Sequence, residues 1–271
     1  MKRSERLGCM TKMITDTPNR IHTLGEFCTL FDAAKSTISE DIDLIRTSLE
    51  RFGVGTIDTV AGAAGGVRYR PIPSAERTQS TLEAVAKRLR EPGRRLAGGF
   101  LYTSDIASDP AVTRALGEII ALKYYDTEPD LVLTMETKGI PVALMTAHML
   151  NVPLVITRRD SRAYEGSAVK INYVCGNDDG HIETMALSRR SVKAGQRALI
   201  VDDFMKGGGT LQGMVEMMQE FQASVAGVCV MVGTAQPEKK RVQGAKALIT
   251  LEGFDEAGCA IVRPNLDFTN G

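Results

Sequence analysis

The sequence predicts an α/β protein in two parts, a small N-terminal unit of helices and a β-hairpin, then a larger domain built on a mostly parallel sheet. Three observations carry this. Apolar residues recur at helical three-four spacing through residues 7–52, and after Pro73 short apolar runs alternate with helical segments. The run from Leu199 to Thr210 then joins an apolar strand to a glycine-rich turn and a helix start. With 271 residues, 43% of them hydrophobic, the chain has enough apolar surface for a sizeable core. The start is polar and no stretch approaches the roughly 18 apolar residues of a membrane span, so a soluble, cytoplasmic protein is expected. Five cysteines without a C-x-x-C pair read as reduced thiols rather than a zinc site, and no metal site is expected.

In the N-terminal unit Leu7, Met10 and Ile14 share a helical face that stops at Asp16-Thr17-Pro18-Asn19. Leu24, Phe27, Cys28 and Phe31 mark a second, short helix, and residues 32–35 a tight connection. Ile38, Ile42, Ile45, Leu49 and Phe52 paint one stripe of a third helix, with Thr37 and Glu40 spaced as a capping box at its start. Residues 54–60 and 67–70 read as two strands around the flexible tip 61–66. Helix, short helix, turn, helix and hairpin is the order of a winged helix-turn-helix. In that arrangement the first residues of the third helix enter the major groove and the hairpin follows the backbone or minor groove. Lys35, Ser36, Thr37 and Ser39 are then the expected readers, and Arg68 and Arg70 the wing contacts.

Charge alone does not point to DNA: Lys plus Arg equal Asp plus Glu at 33 each. Residues 1–73 hold ten basic against nine acidic side chains, so any contact depends on the placement of cations rather than their number. Glu40, Asp41 and Asp43 near the start of the third helix favour the alternative, a helical appendage used for dimerisation.

Residues 1–73 form the expected DNA-binding domain and 74–271 an effector-binding domain, joined near Pro71-Ile72-Pro73-Ser74. A helix is expected from about Ser74 to Arg90, a strand over 96–102, a helix over 109–124, a strand over 131–135 and a helix over 140–150. Strands follow near 154–157, 169–174, 182–187 and 197–201, then a helix over 210–221 and strands over 225–232 and 247–251. Ligands of such sheets bind at the carboxyl ends of the strands.

The string Leu199-Ile200-Val201-Asp202-Asp203-Phe204-Met205-Lys206-Gly207-Gly208-Gly209-Thr210 carries the chemistry. Successive amides before a helix N-terminus make a cradle of N–H donors for a phosphate, and carboxylates, which only accept, suit the vicinal hydroxyls of a ribose. This motif resembles the signature of the type I phosphoribosyltransferases. The resemblance implies that Asp202 and Asp203 hold ribose hydroxyls while Phe204, Met205, Lys206, Gly207, Gly208, Gly209 and Thr210 take the 5-phosphate. Glu136-Thr137-Lys138-Gly139 matches the family's pyrophosphate loop, giving Thr137, Lys138 and Gly139 to the diphosphate. Arg158 and Arg159, in Arg158-Arg159-Asp160-Ser161-Arg162, stand where the family has a mobile loop and either close over phosphates or form a solvated basic loop. Tyr102, at the end of the expected strand over 96–102, either contacts the ligand or belongs to the core.

The winged unit joined to this domain is similar to the purine operon repressors of Gram-positive bacteria. The closer likeness lies in the 202–210 string and in Glu165-Gly166-Ser167 with Ile171-Asn172-Tyr173-Val174. Gly207 departs from that family's usual alanine. The resemblance implies a homodimeric, non-catalytic repressor of purine synthesis and transport genes, binding double-stranded operator DNA and released by 5-phosphoribosyl-1-pyrophosphate (PRPP). Magnesium is expected only through bound PRPP, with no prosthetic group. Related phosphorylated nucleotides such as guanosine alarmones are expected competitors for the site, and an active purine phosphoribosyltransferase is the alternative. The three histidines are given no role.

Overall fold

The computed structural model describes residues 1–62, 65–160, 166–175 and 181–269. Ala63 and Ala64 of the hairpin tip, Ser161 and Arg162 of the basic loop, and Glu165 lie outside the described residues. Two compact units emerge: Met1–Ser74 with His148–Asn151, and Ala75–Ala147 with Val152–Gly271.

The first unit is α1 (Arg3–Asp16), α2 (Leu24–Phe31), α3 (Lys35–Arg51) and an antiparallel hairpin of β1 (Thr56–Val60) and β2 (Gly66–Arg70). Met10, Ile14, Phe27, Phe31, Ile38, Ile42 and Ile45 pack with Ile57, Val67 and Tyr69 in one core. Two sequence expectations fail here. Thr37 does not cap α3, because the helix already begins at Lys35 after an extended Ala34 that makes no side-chain cap. Left-handed Asp32 ends α2 so abruptly that α3 starts two residues before Thr37. The capping box belongs to α2, where Thr23 accepts from the Glu26 amide and Glu26 reaches back to the Thr23 amide. Phe52, expected on the buried stripe, follows the end of α3 and is 75% exposed, its ring 6.0 Å from the Arg51 guanidinium.

The second unit begins with α4 (Ala75–Leu89), the single-turn α5 (Ser104–Ala107) and α6 (Pro110–Tyr124), which Asp109 caps. Next come β3 (Leu131–Met135), α7 (Ile140–Leu150), β4 (Leu154–Thr157), β5 (Ala168–Cys175) and β6 (His181–Ser188). The chain closes with β7 (Arg197–Met205), α8 (Gly209–Glu220), β8 (Ser224–Thr234), β9 (Lys246–Phe254) and β10 (Ala260–Pro264). Six strands form one sheet in the order β10-β9-β8-β7-β3-β4, parallel except for β10, while β5 and β6 pair as a separate antiparallel hairpin. All five residues of β3 are buried, as a central strand covered on both faces requires. Leu211, Met214, Met217 and Met218 of α8 share a core with β3, β7 and Tyr173 of β5.

Three expectations change in this unit. Residues 96–102 are not a strand: Ala97–Gly99 is a 3-10 turn, with Gly98 and Gly99 at φ of 70° and 73°. Two successive left-handed residues break an extended path, and a single bridge, Arg95 to Leu101, remains. β7 does not end at Val201 but runs through the acid pair to Met205, and β10 was not anticipated. The sheet also reverses its direction of travel between β7 and β3, which opens a crevice at their carboxyl ends.

Candidate functional site: an acid pair and glycine loop at the sheet switch point

At that crevice lies a cleft of about 960 Å³. One wall comes from the end of β7 and the start of α8, through Asp202, Asp203, Phe204 and Thr210; another from the β3–α7 turn, through Glu136, Thr137 and Lys138. Arg159 adds a cation after β4, and Leu96, Phe100 and Thr103 add a largely apolar side.

The acid pair is held close to Gly139. A Cβ on Gly139 would lie 2.1 Å from Asp202 Oδ1 and 2.6 Å from Thr134 Oγ1, so only glycine permits the approach. The Asp203 amide donates to Asp202 Oδ1 at 2.9 Å. Burial drives the Asp202 carboxyl well above its ordinary pKa, and the adjacent Asp203 charge adds to the rise. Asp203 is also raised by burial, with Lys138 pulling it back. Among the described residues no arginine or lysine makes an ion pair with either carboxylate, so both keep acceptor capacity for a ligand.

The glycine loop is shaped from behind. Gly208 caps α8 in the left-handed region at φ 82°, and a Cβ on Gly209 would stand 2.1 Å from the Val174 carbonyl oxygen. The Gly207 carbonyl accepts from the Arg241 amide at 2.9 Å. Thr210 lines the cleft with its hydroxyl 3.6 Å from Cys175 Sγ. Of the other loop candidates, Met205 is buried in the core, and Lys206 Nζ donates to the Gly98 carbonyl at 2.8 Å and stands 5.5 Å from the Phe100 ring. Gly207, Gly208 and Gly209 are not among the cleft's lining residues. What they offer is amides, not side chains.

The two arginines separate. Arg158 is paired with Glu136 at 3.5 Å and its backbone bridges to Ala186. Arg159 lines the cleft, its amide donates to Glu136 Oε1 at 2.9 Å, and its guanidinium is 4.0 Å from Glu183. Tyr102 is not at the end of a strand and does not line the cleft. It follows the glycine turn, is 43% exposed, and its carbonyl accepts from Arg94 at 3.2 Å. Sequence reasoning missed the apolar side, whose only signal was the pair of glycines before Phe100.

In the N-terminal unit Lys35 and Ser39 line a recess of about 740 Å³ together with Arg46, Thr59, Gly62 and Gly65. Ser36 is exposed beside them, and Thr37 is half-buried in the first turn of α3. Arg68 and Arg70 of the wing both pair with Asp58, at 3.6 and 3.0 Å. The acidic start of α3 is largely accounted for. Asp41 is fully buried between Arg3 at 2.8 Å and Arg6 at 2.5 Å, and Asp43 binds Arg46 at 2.6 Å. Burial would raise the Asp41 pKa, but the hydrogen bonds from Arg6 and Arg3 outweigh it and hold it low.

Residues 2–71 match the family model described as bacterial purine repressor, N-terminal, and residues 103–268 match the phosphoribosyl transferase domain. A Bacillus subtilis protein named purine biosynthesis transcriptional repressor PurR is 41% identical over 250 residues, covering 92% of this chain and 87% of its own length. This chain belongs to the bacterial purine repressor family. A Streptococcus pneumoniae relative, named a probable purine biosynthesis transcriptional regulator, is also 41% identical, over 96% of this chain and 95% of its own. A Lactococcus lactis member at 40% identity, covering 96% of each chain, is named a transcriptional activator. In the second unit the family shares its fold with enzymes. The adenine phosphoribosyltransferase of Rhodothermus marinus superposes with a TM-score of 0.54 at 18% identity, over 64% of this chain and 99% of its own.

Proposed function

We propose that this protein is a transcriptional repressor of purine synthesis and transport genes, acting in the cytoplasm as a homodimer on operator DNA and released by PRPP. One observation carries the reading: a winged helix-turn-helix shares a chain with a cleft where Asp202, Asp203, Thr210 at the start of α8 and Lys138 converge. Asp202 and Asp203 accept from the ribose hydroxyls, and the amides from Phe204 to Thr210 bind the 5-phosphate. Lys138 and the Gly139 amide meet the diphosphate, whose magnesium arrives with the ligand. The apolar side from Leu96 to Phe100 leaves room for a nucleotide base, so guanosine alarmones compete with PRPP.

Names given to relatives support regulation of purine synthesis, and both repressor and activator occur among them. Repression is favoured by the simplest coupling, in which an abundant precursor removes the regulator from the genes. A ligand shifts such an equilibrium only by its differential affinity for the two states. Mobility shift of purine-gene upstream DNA decides the matter: binding without effector and release by PRPP with magnesium is expected. Retention of DNA at saturating PRPP overturns the repressor reading.

The alternative, an active phosphoribosyltransferase, is favoured by the intact acid pair and Lys138. Incubation with PRPP and each free purine distinguishes the two, since pyrophosphate release at enzyme-like rates would establish transfer.

A further inference from the structure

We propose that Lys240 is a positioning residue for the phosphate cradle, holding the Lys206 carbonyl that leads into the glycine loop. The inference rests on the phosphate-binding reading given above. Lys240 follows β8 in a polar stretch without a recognisable motif. Its ammonium is half-buried and donates to the Lys206 carbonyl at 2.7 Å and to Thr234 Oγ1 at 3.1 Å. Among the described residues it has no carboxylate within ion-pair distance, and burial lowers its pKa. A half-buried ammonium bonded to a backbone carbonyl and a hydroxyl rather than to a carboxylate fixes the position of that carbonyl.

The neighbours repeat the same contact. Arg241 donates its amide to the Gly207 carbonyl at 2.9 Å, and a Cβ on Gly208 would stand 2.9 Å from Val242 Cγ1. Residues 240–242 therefore back the loop along its length. The 206–207 and 207–208 peptides are trans, so each carbonyl points opposite to the next N–H. Drawing the carbonyls of Lys206 and Gly207 toward residues 240 and 241 turns the amides of Gly207 and Gly208 the other way. Among the described residues no acceptor receives those two amides. An anion is the partner they lack.

Calorimetry on the full chain tests this with two probes, ribose 5-phosphate for the glycine loop and inorganic pyrophosphate for the Lys138 turn. Lys240→Met should weaken ribose 5-phosphate by about tenfold, because the loop amides are no longer preset for the phosphate, and leave pyrophosphate unchanged. Lys240→Arg, which keeps the cation and its donors, should recover most of the loss. Wild-type affinity for ribose 5-phosphate in Lys240→Met overturns the inference and leaves the phosphate reading intact. Equal loss of both probes in Lys240→Met and Lys240→Arg overturns it too, by showing general damage to the fold. Failure of the wild-type chain to bind ribose 5-phosphate removes the reading beneath it.

Discussion

The two units treat charge in opposite ways. In the N-terminal unit cations are matched: Arg3 and Arg6 to Asp41, Arg46 to Asp43, Arg68 and Arg70 to Asp58. In the cleft at the sheet switch point two carboxylates lie side by side, and among the described residues no guanidinium or ammonium is bonded to them. The first arrangement is stable alone, and under the proposed DNA contact phosphates would compete with Asp58 for the wing arginines. The second holds its carboxyls above their ordinary pKa, and the proposed ribose hydroxyls would supply the donors it lacks. One unit thus balances its charges internally and the other leaves two acceptors unmatched, a contrast that fits the proposed release by a phosphorylated ribose.

The largest effect should come from breaking the matched side. Asp41→Ala leaves Arg6 buried without its carboxylate and should destabilise the N-terminal unit by about 3–5 kcal/mol, read by thermal melting and loss of DNA binding. Ribose 5-phosphate should still bind the second unit. On the unmatched side, Asp203→Ala removes one acceptor and should reduce PRPP affinity by roughly tenfold to a hundredfold, with DNA binding kept and release by PRPP lost. Unaltered response to PRPP in that variant would disprove the ribose assignment.

A smaller effect sharpens the comparison from the DNA side. Asp58→Asn takes away the carboxylate that Arg68 and Arg70 share, so operator affinity should rise several-fold. Its logarithm should fall more steeply with log salt, by about one to two units of slope. No change in slope would mean that the wing does not touch phosphate.

The smallest effect is on stability and carries opposite signs in the two units. Asp41 has a lowered native pKa, so its contribution is present above the ordinary carboxylate range and is lost as pH falls through the native value. Asp202 has a raised native pKa, so stability is lost as pH rises from the ordinary carboxylate range through that value. Asp202→Asn should therefore raise the neutral-pH Tm of the second unit by roughly 2–4 °C, the shift that goes with about 1 kcal/mol. A lower Tm would show that the ionised pair is not strained.

Where local pattern and tertiary burial agree, the fold was legible. Leu131–Met135 and Ile140–Leu150 were expected and found, because a short apolar run followed by a longer one after Gly139 fits a buried strand leading into a covering helix. Residues 96–102 misled because Leu96, Phe100 and Leu101 look strand-like, while the backbone obeys Gly98 and Gly99. Thr37 and Glu40 had capping-box spacing, but where a helix starts depends on the turn before it, and Asp32 set that turn. In the site, Asp202, Asp203, Lys138 and Thr210 were found by motif and meet in one cleft. Tyr102 was misplaced with its strand. Lys240 was invisible, since a lysine that bonds a distant carbonyl leaves no periodic trace.

A crystal structure of the full chain with PRPP and magnesium tests the central claim most directly. The 5-phosphate is expected on the amides between Phe204 and Thr210, with the ribose hydroxyls on Asp202 and Asp203. Density for the metabolite at another place, with that turn empty, would contradict the account.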